Sequence, residues 1–233
     1  MDFRRKQALL RGNKYNSTKH KVSKIIELSE ALCYLSATPR VREGIVTGKT
    51  HLGVLEGSLR QASLSRAAAR AVAGLAPEDF SVETLPNPGT LPLFNQDVMD
   101  AGMPESVSAL LLALSRCNAL LIVTPEYNWS VPGALKNAFD WVSRVQPGPL
   151  ADKPVAIWSV SPGLLGGARV HESLRHILHS QDMRIMAKPE VQIAQAQTKI
   201  DVAAGRITDA GAEAFLRRQL AFFARFCHSM VAV

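Results

Sequence analysis

From His51 onward, short apolar β-prone runs alternate with helix-length periodic segments, and this alternation restricts the chain to an α/β sheet with parallel strands. The runs predict five strands, at His51–Glu56, Phe80–Leu85, Ala119–Thr124, Val155–Ser159 and a last one spanning Arg184–Ile193 that Pro189 interrupts. Between them, periodicity predicts helices at Leu64–Leu75, Glu105–Arg116, Pro132–Arg144, Ala168–Gln181 and Asp209–His228. Ser63 before the first helix, Pro132 in an opening turn and Gly166–Gly167 ahead of the fourth are start signals. Five βα units fit one doubly wound domain over residues 50–233 with strand order 2-1-3-4-5. Ligands of such sheets sit beyond the carboxyl ends of the strands.

Residues 1–49 read differently. They are basic, and a single amphipathic stretch, Val22–Leu35, places Val22, Ile25, Ile26, Leu32 and Leu35 near helical spacing. The expectation is an N-terminal extension with at most one short helix. A targeting segment or a basic partner-binding arm is the alternative.

The formal charge of +7 has the same uneven origin. Residues 1–50 carry 11 Lys/Arg against 4 Asp/Glu, whereas residues 51–233 carry 16 against 16. A neutral main domain has no global field for a polyanion, so no nucleic-acid partner is expected. No apolar run approaches the roughly 18 residues of a membrane span, so no membrane partner is expected either. Cys33, Cys117 and Cys227 are 84 and 110 positions apart, too far for a CxxC or zinc-knuckle pattern, and no metal ligands are assigned. Free thiols without a charged-then-apolar leader lead to the expectation of a cytoplasmic protein.

Three motifs mislead. Gly44-Ile-Val-Thr-Gly48-Lys49-Thr50 imitates a phosphate-binding P-loop, but it has three residues between its glycines where four are required, and it leads into a strand. His171-Glu172-Ser-Leu-Arg-His176 has one residue too many for a zinc-protease HExxH, and five helical positions rotate the second imidazole by about 140°. No GxGxxG follows any strand, which removes the Rossmann manner of holding a dinucleotide.

Chemistry is expected in three loops. After the first strand comes Gly57-Ser58-Leu59-Arg60-Gln61-Ala62-Ser63-Leu64-Ser65, running into an alanine-rich helix. Glycine permits a tight exit, and N–H groups, the hydroxyls of Ser58, Ser63 and Ser65 and the Arg60 guanidinium suit a phosphate monoester. The alternative is that Ser63 merely caps the helix and Arg60 is a solvated side chain. The third strand emerges into Pro125-Glu126-Tyr127-Asn128-Trp129-Ser130-Val131-Pro132-Gly133, a loop stiffened by two prolines and carrying flat apolar surface. Its backbone suits the polar edge of a planar heterocycle, while Tyr127 and Trp129 could instead pack on a neighbouring helix or subunit. After the fourth strand, Ser161-Pro162-Gly163 and Gly166-Gly167 permit close backbone approach, or simply make a flexible connection.

At these loops the chain resembles the NADPH-dependent FMN reductase family of flavodoxin-like proteins, and within it the bacterial chromate and quinone reductases. The resemblance rests on GSLRxxS at 57–63, LPLFNQDV at 91–98, TPEYNWSVPGALKNAFDW at 124–141, GGAR at 166–169 and KPE at 188–190. It implies that Ser58, Leu59, Arg60, Ser63 and Ser65 bind the FMN phosphate. It further implies that Pro125, Glu126, Tyr127 and Asn128 border the isoalloxazine, with contacts from Ser161 and Gly163. Ser65 stands where the family usually has Asn, and Phe94 and Trp129 stand where it often has Tyr. The implied enzyme takes hydride from NADPH or NADH and passes electrons to a small-molecule acceptor: a quinone, flavin, azo compound or chromate. A flavodoxin-type electron carrier without its own nicotinamide site is the alternative. The resemblance also implies a homodimer or homotetramer, with the Leu135–Trp141 helix as candidate interface because Phe139 and Trp141 are more apolar surface than one domain easily hides.

Overall fold

The computed structural model describes residues 49–230. The Val22–Leu35 stretch, Cys33 and Gly44–Gly48 of the P-loop imitation lie outside the described residues. The elements are β1 (Thr50–Glu56), α1 (Leu64–Leu75), β2 (Phe80–Thr84), α2 (Gln96–Ala101), α3 (Glu105–Arg116), β3 (Ala119–Thr124), α4 (Gly133–Val142), β4 (Pro154–Val160), α5 (Val170–Ser180), β5 (Arg184–Ile185), β6 (Val191–Ile193), β7 (Ile200–Asp201), β8 (Arg206–Ile207) and α6 (Ala210–Ser229).

The main sheet has the order β2-β1-β3-β4-β5, with β6 also paired to β4. Its pairings are all parallel, from Leu52↔Ala119 to Glu56↔Val123 and from Leu120↔Val155 to Thr124↔Ser159. This is the flavodoxin-like order expected from the alternation. Every residue of β3 and β4 is buried, because helices cover both faces and leave no solvent side on which polar residues could alternate. On one face Leu52, Val54, Leu121, Val123 and Trp158 join the buried side of α1 and the α6 residues Leu220 and Phe223. Such a fully buried Leu or Phe contributes about 1.5–3 kcal/mol. Ala67, Ala68 and Ala71 give α1 a low-profile buried face toward the sheet. Trp158 is accommodated in the interior because its indole Nε1 donates to Gln219 Oε1 at 2.8 Å.

The expected last strand is split. Arg184–Ile185 and Val191–Ile193 both run along β4, and the segment between them, which contains Pro189, leaves the ladder. Proline has no N–H to donate, so it breaks the pairing there. Periodicity did not register α2 or the antiparallel β7–β8 pair, since six-residue and two-residue elements hold too few positions to show a period. The expectation that Phe139 and Trp141 stand exposed at an interface is corrected: they are 3% and 0% exposed. Residues 91–94, passing over α4, cover Trp141, whose Nε1 donates to Pro92 O at 2.8 Å with Phe94 set edge-on to its ring.

No helix among the described residues is long and apolar enough to cross a membrane. His171, the first histidine of the HExxH imitation, is buried with Nε2 3.0 Å from Ser159 Oγ and 3.2 Å from Val191 O, while His176 is exposed. One imidazole thus faces the interior and the other solvent, as the helical rotation requires.

Candidate active site

The carboxyl ends of β1 and β3 lie side by side, at the switch point where the chain reverses its direction of sheet growth. Gly57 leaves β1 there, its N–H donating to Val123 O at 2.9 Å. A Cβ on Gly57 would sit 2.1 Å from Thr124 Oγ1 and 2.9 Å from Thr124 Cα. Only glycine allows this approach, and the approach brings the first loop against the root of the second.

Beyond Gly57 the loop closes on itself. Ser58, Ser63 and Ser65 are buried, and the hydroxyls of Ser63 and Ser65 are 2.9 Å apart. Ser58 Oγ accepts from Arg60 N at 3.4 Å, and Ser63 Oγ accepts from Arg66 N as the α1 cap. Thus Ser63 does cap the helix, and its hydroxyl also belongs to the buried cluster. The amides of Leu59, Gln61 and Ala62 donate to no acceptor among the described residues. The first turn of α1 carries no acidic side chain, so the positive end of this 12-residue helix is uncompensated. Arg60 lies exposed over the loop, its Nη2 donating to Ala62 O at 3.2 Å, and makes no ion pair with a described carboxylate. Arg66, by contrast, is tied to Glu56 at 2.9 Å. Buried hydroxyls, free amides, a helix N-terminus and an unneutralised guanidinium fit an esterified phosphate. Leu59 packs over Gly89, whose own Cβ would meet the Leu59 side chain at 2.6 Å, so the turn at residues 88–90 lies against the cradle.

In the second loop, Tyr127 and Ser130 exchange backbone hydrogen bonds of 3.1 and 2.9 Å, closing a tight turn. Its central residues, Asn128 and Trp129, have φ of 50° and 62°. Asn tolerates that region well, whereas Trp is strained in it. The turn projects Tyr127 and Trp129 outward, 46% and 70% exposed, and the Arg169 guanidinium lies 4.6 Å over the Trp129 ring. Pro125 is half-buried at the root of the loop and Asn128 is exposed at its tip. Glu126 points elsewhere. Its Oε2 accepts from the backbone N–H of Arg169 at 2.8 Å and Val170 at 3.1 Å, which caps α5. Within the described chain, then, its carboxylate serves to lock the second loop to the third.

The third loop brings Ser161 and Gly163 to the same end of the sheet, but with different resources from those expected. Gly163 N–H donates to Ser161 Oγ at 3.0 Å, so that amide is already satisfied and the residue offers space. Gly166 and Gly167, with φ of 61° and 82°, let the loop press on residues 192–194 and on Ser159. Leu164 and Leu165 are left 79% and 57% exposed.

Sequence reasoning missed how residues 91–94 are anchored. Asn137 accepts from Phe94 N at 2.8 Å and donates to Pro92 O at 2.9 Å, which holds this segment on α4, the helix that follows the second loop, and leaves Leu93 81% exposed. The signal was present in LPLFNQDV, but nothing in that string names Asn137 as its partner.

Comparison with known proteins agrees with this geometry. Residues 50–198 match the family described as NADPH-dependent FMN reductase. The chain is 42% identical over 179 residues to a quinone reductase of Escherichia coli (strain K12), an alignment covering 76% of this chain and 95% of that protein. The chain belongs to the NADPH-dependent FMN reductase family. An NAD(P)H-dependent FMN reductase of Pseudomonas aeruginosa is 41% identical over 166 residues, covering 71% of this chain and 89% of the other. Among solved structures, the flavoenzyme NAD(P)H:(acceptor) oxidoreductase of Paracoccus denitrificans superposes with a TM-score of 0.70 at 33% identity, covering 78% of this chain and 98% of that one. As a member of this FMN reductase family the protein is an oxidoreductase with FMN as cofactor and NAD(P)H as reductant. The electron-carrier alternative yields to this assignment.

Proposed function

We propose that the protein takes hydride from NADPH or NADH and reduces a quinone, with free flavin, azo compounds or chromate as further acceptors of the same open site. The observation that carries this reading is the contact between Gly57 and Thr124, which sets the phosphate cradle against the loop that would border a flat ring. Ser58, Leu59, Arg60, Ser63 and Ser65 would hold the FMN phosphate. Pro125, Glu126, Tyr127 and Asn128 would border the isoalloxazine, Glu126 through its backbone, with Ser161 and Gly163 on the far side. When bound, FMN supplies the capacity to accept a hydride and release the electrons to an acceptor. The chain orients the reactants. Tyr127 and Trp129 offer aromatic surface on which a flat acceptor or a nicotinamide can stack, with the Arg169 guanidinium, 3.7 Å from Glu126 Oε1, against the Trp129 ring. No described side chain is needed as acid or base.

Leu93, Trp129, Leu164 and Leu165, in the segments that follow β2, β3 and β4, leave exposed apolar surface, which supports a homodimer or homotetramer that covers part of it. Cys117 and Cys227 are free, which supports a reducing, cytoplasmic setting. Residues 50–233 form the catalytic domain, and residues 1–49 an extension it does not need. The test is NADPH and NADH oxidation by the flavin-loaded protein with a benzoquinone, for the full chain and for a form lacking residues 1–48. Flavin binding without nicotinamide turnover would overturn the reductase reading. Activity lost on truncation would overturn the domain division alone.

A further inference from the structure

Three potential metal ligands meet away from the loops just described, toward the amino-terminal ends of β1 and β3. His51 Nε2 lies 2.9 Å from Glu83 Oε2, and one ligand atom from each of His51, Glu83 and Cys117 lies within 4.8 Å of the other two. The residues are 32 and 34 positions apart in the chain, so no spacing pattern reveals them. Topology assembles them. In the parallel register Gly53 of β1 pairs with Glu83 of β2, and Leu52 pairs with Ala119, which places Cys117 just ahead of β3 at the same level of the sheet.

The cluster is held from several sides. His51 N donates to Asn118 Oδ1 at 2.9 Å, and Asn118 N donates to His51 O at 2.8 Å, which fastens β1 to the residue that follows Cys117. Arg116 Nη2 takes Glu83 Oε1 at 2.7 Å, leaving Oε2 directed at the imidazole. Gly53 makes the space for the thiol, since a Cβ there would lie 2.7 Å from Cys117 Sγ. The His51 and Glu83 side chains are about one-third exposed, 31% and 28%, over a buried Cys117. A cation can therefore arrive from solvent onto a sulfur floor.

We propose that His51 Nε2, Glu83 Oε2 and Cys117 Sγ bind a borderline-soft divalent cation of the Zn2+ class, with a fourth position open to water. The donor set selects the metal: thiolate and imidazole suit Zn2+, whereas Mg2+ and Ca2+ require oxygen. Bond lengths of about 2.0–2.3 Å in a tetrahedral site separate ligand atoms by roughly 3.3–3.8 Å. The present spread closes to that by rotation of the two partly exposed side chains. The Cys117 thiol donates to Ala113 O at 3.2 Å, so the metal must displace its proton. One metal–sulfur bond forms and one S–H bond breaks, with that proton going to solvent; Glu83 enters as carboxylate, and His51 enters as neutral imidazole whose proton moves through solvent from Nε2, where it faces Glu83 Oε2 at 2.9 Å, to Nδ1, so the net release is one proton. Once bound, the ion ties β1, β2 and the α3–β3 connection together. The site is independent of the flavin reading, because none of its ligands belongs to the loops described above.

The test is calorimetric titration of ZnCl2 into chelator-treated, flavin-loaded full-length protein, in two buffers of different ionisation enthalpy, with zinc X-ray absorption on the product. The expected result is one Zn2+ per chain, one proton released and one sulfur neighbour. His51→Gln, Glu83→Gln and Cys117→Ala should each weaken binding by at least about tenfold, while Cys33→Ala and Cys227→Ala leave it unchanged. NADPH oxidation by His51→Gln and Glu83→Gln should match the parent, which also shows that these variants fold. The absence of a saturable one-to-one isotherm, a zinc site without sulfur, or parental affinity in His51→Gln and Glu83→Gln would overturn the proposal.

Discussion

The Glu126 carboxylate accepts the backbone N–H of Val170 at 3.1 Å, so a residue from the loop after β3 caps a helix that follows β4. Local sequence normally supplies a cap, and here α5 has no side-chain cap from its own preceding residue, Arg169. The helix start and the ring-bordering loop are thereby one unit. Glu126→Ala should destabilise the protein by about 1–2 kcal/mol and weaken flavin binding in parallel. Glu126→Gln keeps an accepting oxygen and should lose less of both. Urea midpoints and flavin titration check this. A full-strength flavin site in the alanine variant would separate the cap from the site.

Gly57→Ala tests the contact at the switch point. The added methyl meets both the Thr124 side chain and its Cα, so trimming Thr124 to Ala or Gly cannot relieve the whole clash. Overpacking of this kind costs about 1–3 kcal/mol. We expect reduced stability and loss of flavin retention on gel filtration, with no recovery in Gly57→Ala/Thr124→Ala. Recovery would mean that the loops can separate without consequence.

These two sites show what the sequence discloses. Leu64–Leu75, Glu105–Arg116 and Ala119–Thr124 were read residue for residue, because apolar period and local start signals are written within each element. The switch point followed from strand order, and it brought Ser58, Ser63, Ser65 and the 125–128 loop to one end of the sheet. Roles that depend on distant partners were not readable. Glu126 reaches a helix 44 positions ahead, and Asn137 holds Pro92, 45 positions behind it. Nothing in either local string names its partner. The exposure expected of Trp141 fails for the same reason, since its cover comes from residues 91–94.

Arg60 separates ligand binding from folding. The one hydrogen bond of its side chain among the described residues goes to Ala62 O at an exposed position, so Arg60→Ala should leave the melting temperature of the flavin-free protein unchanged. If the guanidinium meets the phosphate, flavin affinity falls by about 1.5–3 kcal/mol, roughly 10- to 150-fold. Fluorescence titration with FMN and with riboflavin, which lacks the phosphate, distinguishes the cause: riboflavin binding should not respond. An unchanged FMN dissociation constant would remove Arg60 from the site.

His171 predicts a dependence on pH. Burial, then the neighbouring Arg175 guanidinium, hold its imidazole below the ordinary value of 6.5, against the opposing influence of Glu190, the Val191 carbonyl and Glu126. The folded state therefore binds fewer protons than the unfolded state just below that value. Stability is complete above about pH 6.5 and drains as pH falls beneath it. In His171→Gln this contribution is absent, so its stability relative to the parent should improve as pH is lowered. Urea midpoints from about pH 7.5 to 5 give the two slopes. Parallel slopes would show that His171 titrates alike in both states.

Trp129→Gly isolates the ring from the backbone. With φ at 62°, Trp129 carries strain of about 1–2 kcal/mol that glycine removes. Glycine in turn forfeits the exposed Arg169 contact, about 0.5–1 kcal/mol, and adds about 0.4–1 kcal/mol of unfolded-state entropy. The contributions cancel to within about 1 kcal/mol, so the melting temperature should hardly move. A kinetic change in this variant is then due to the missing aromatic surface. We expect flavin affinity to stay the same and KM for a benzoquinone to rise severalfold with kcat nearly constant, since a stacking platform that binds ground state and transition state alike affects KM. Parental KM values for both quinone and NADPH would assign Trp129 to subunit packing, and sedimentation of the same variant would then show a weakened oligomer.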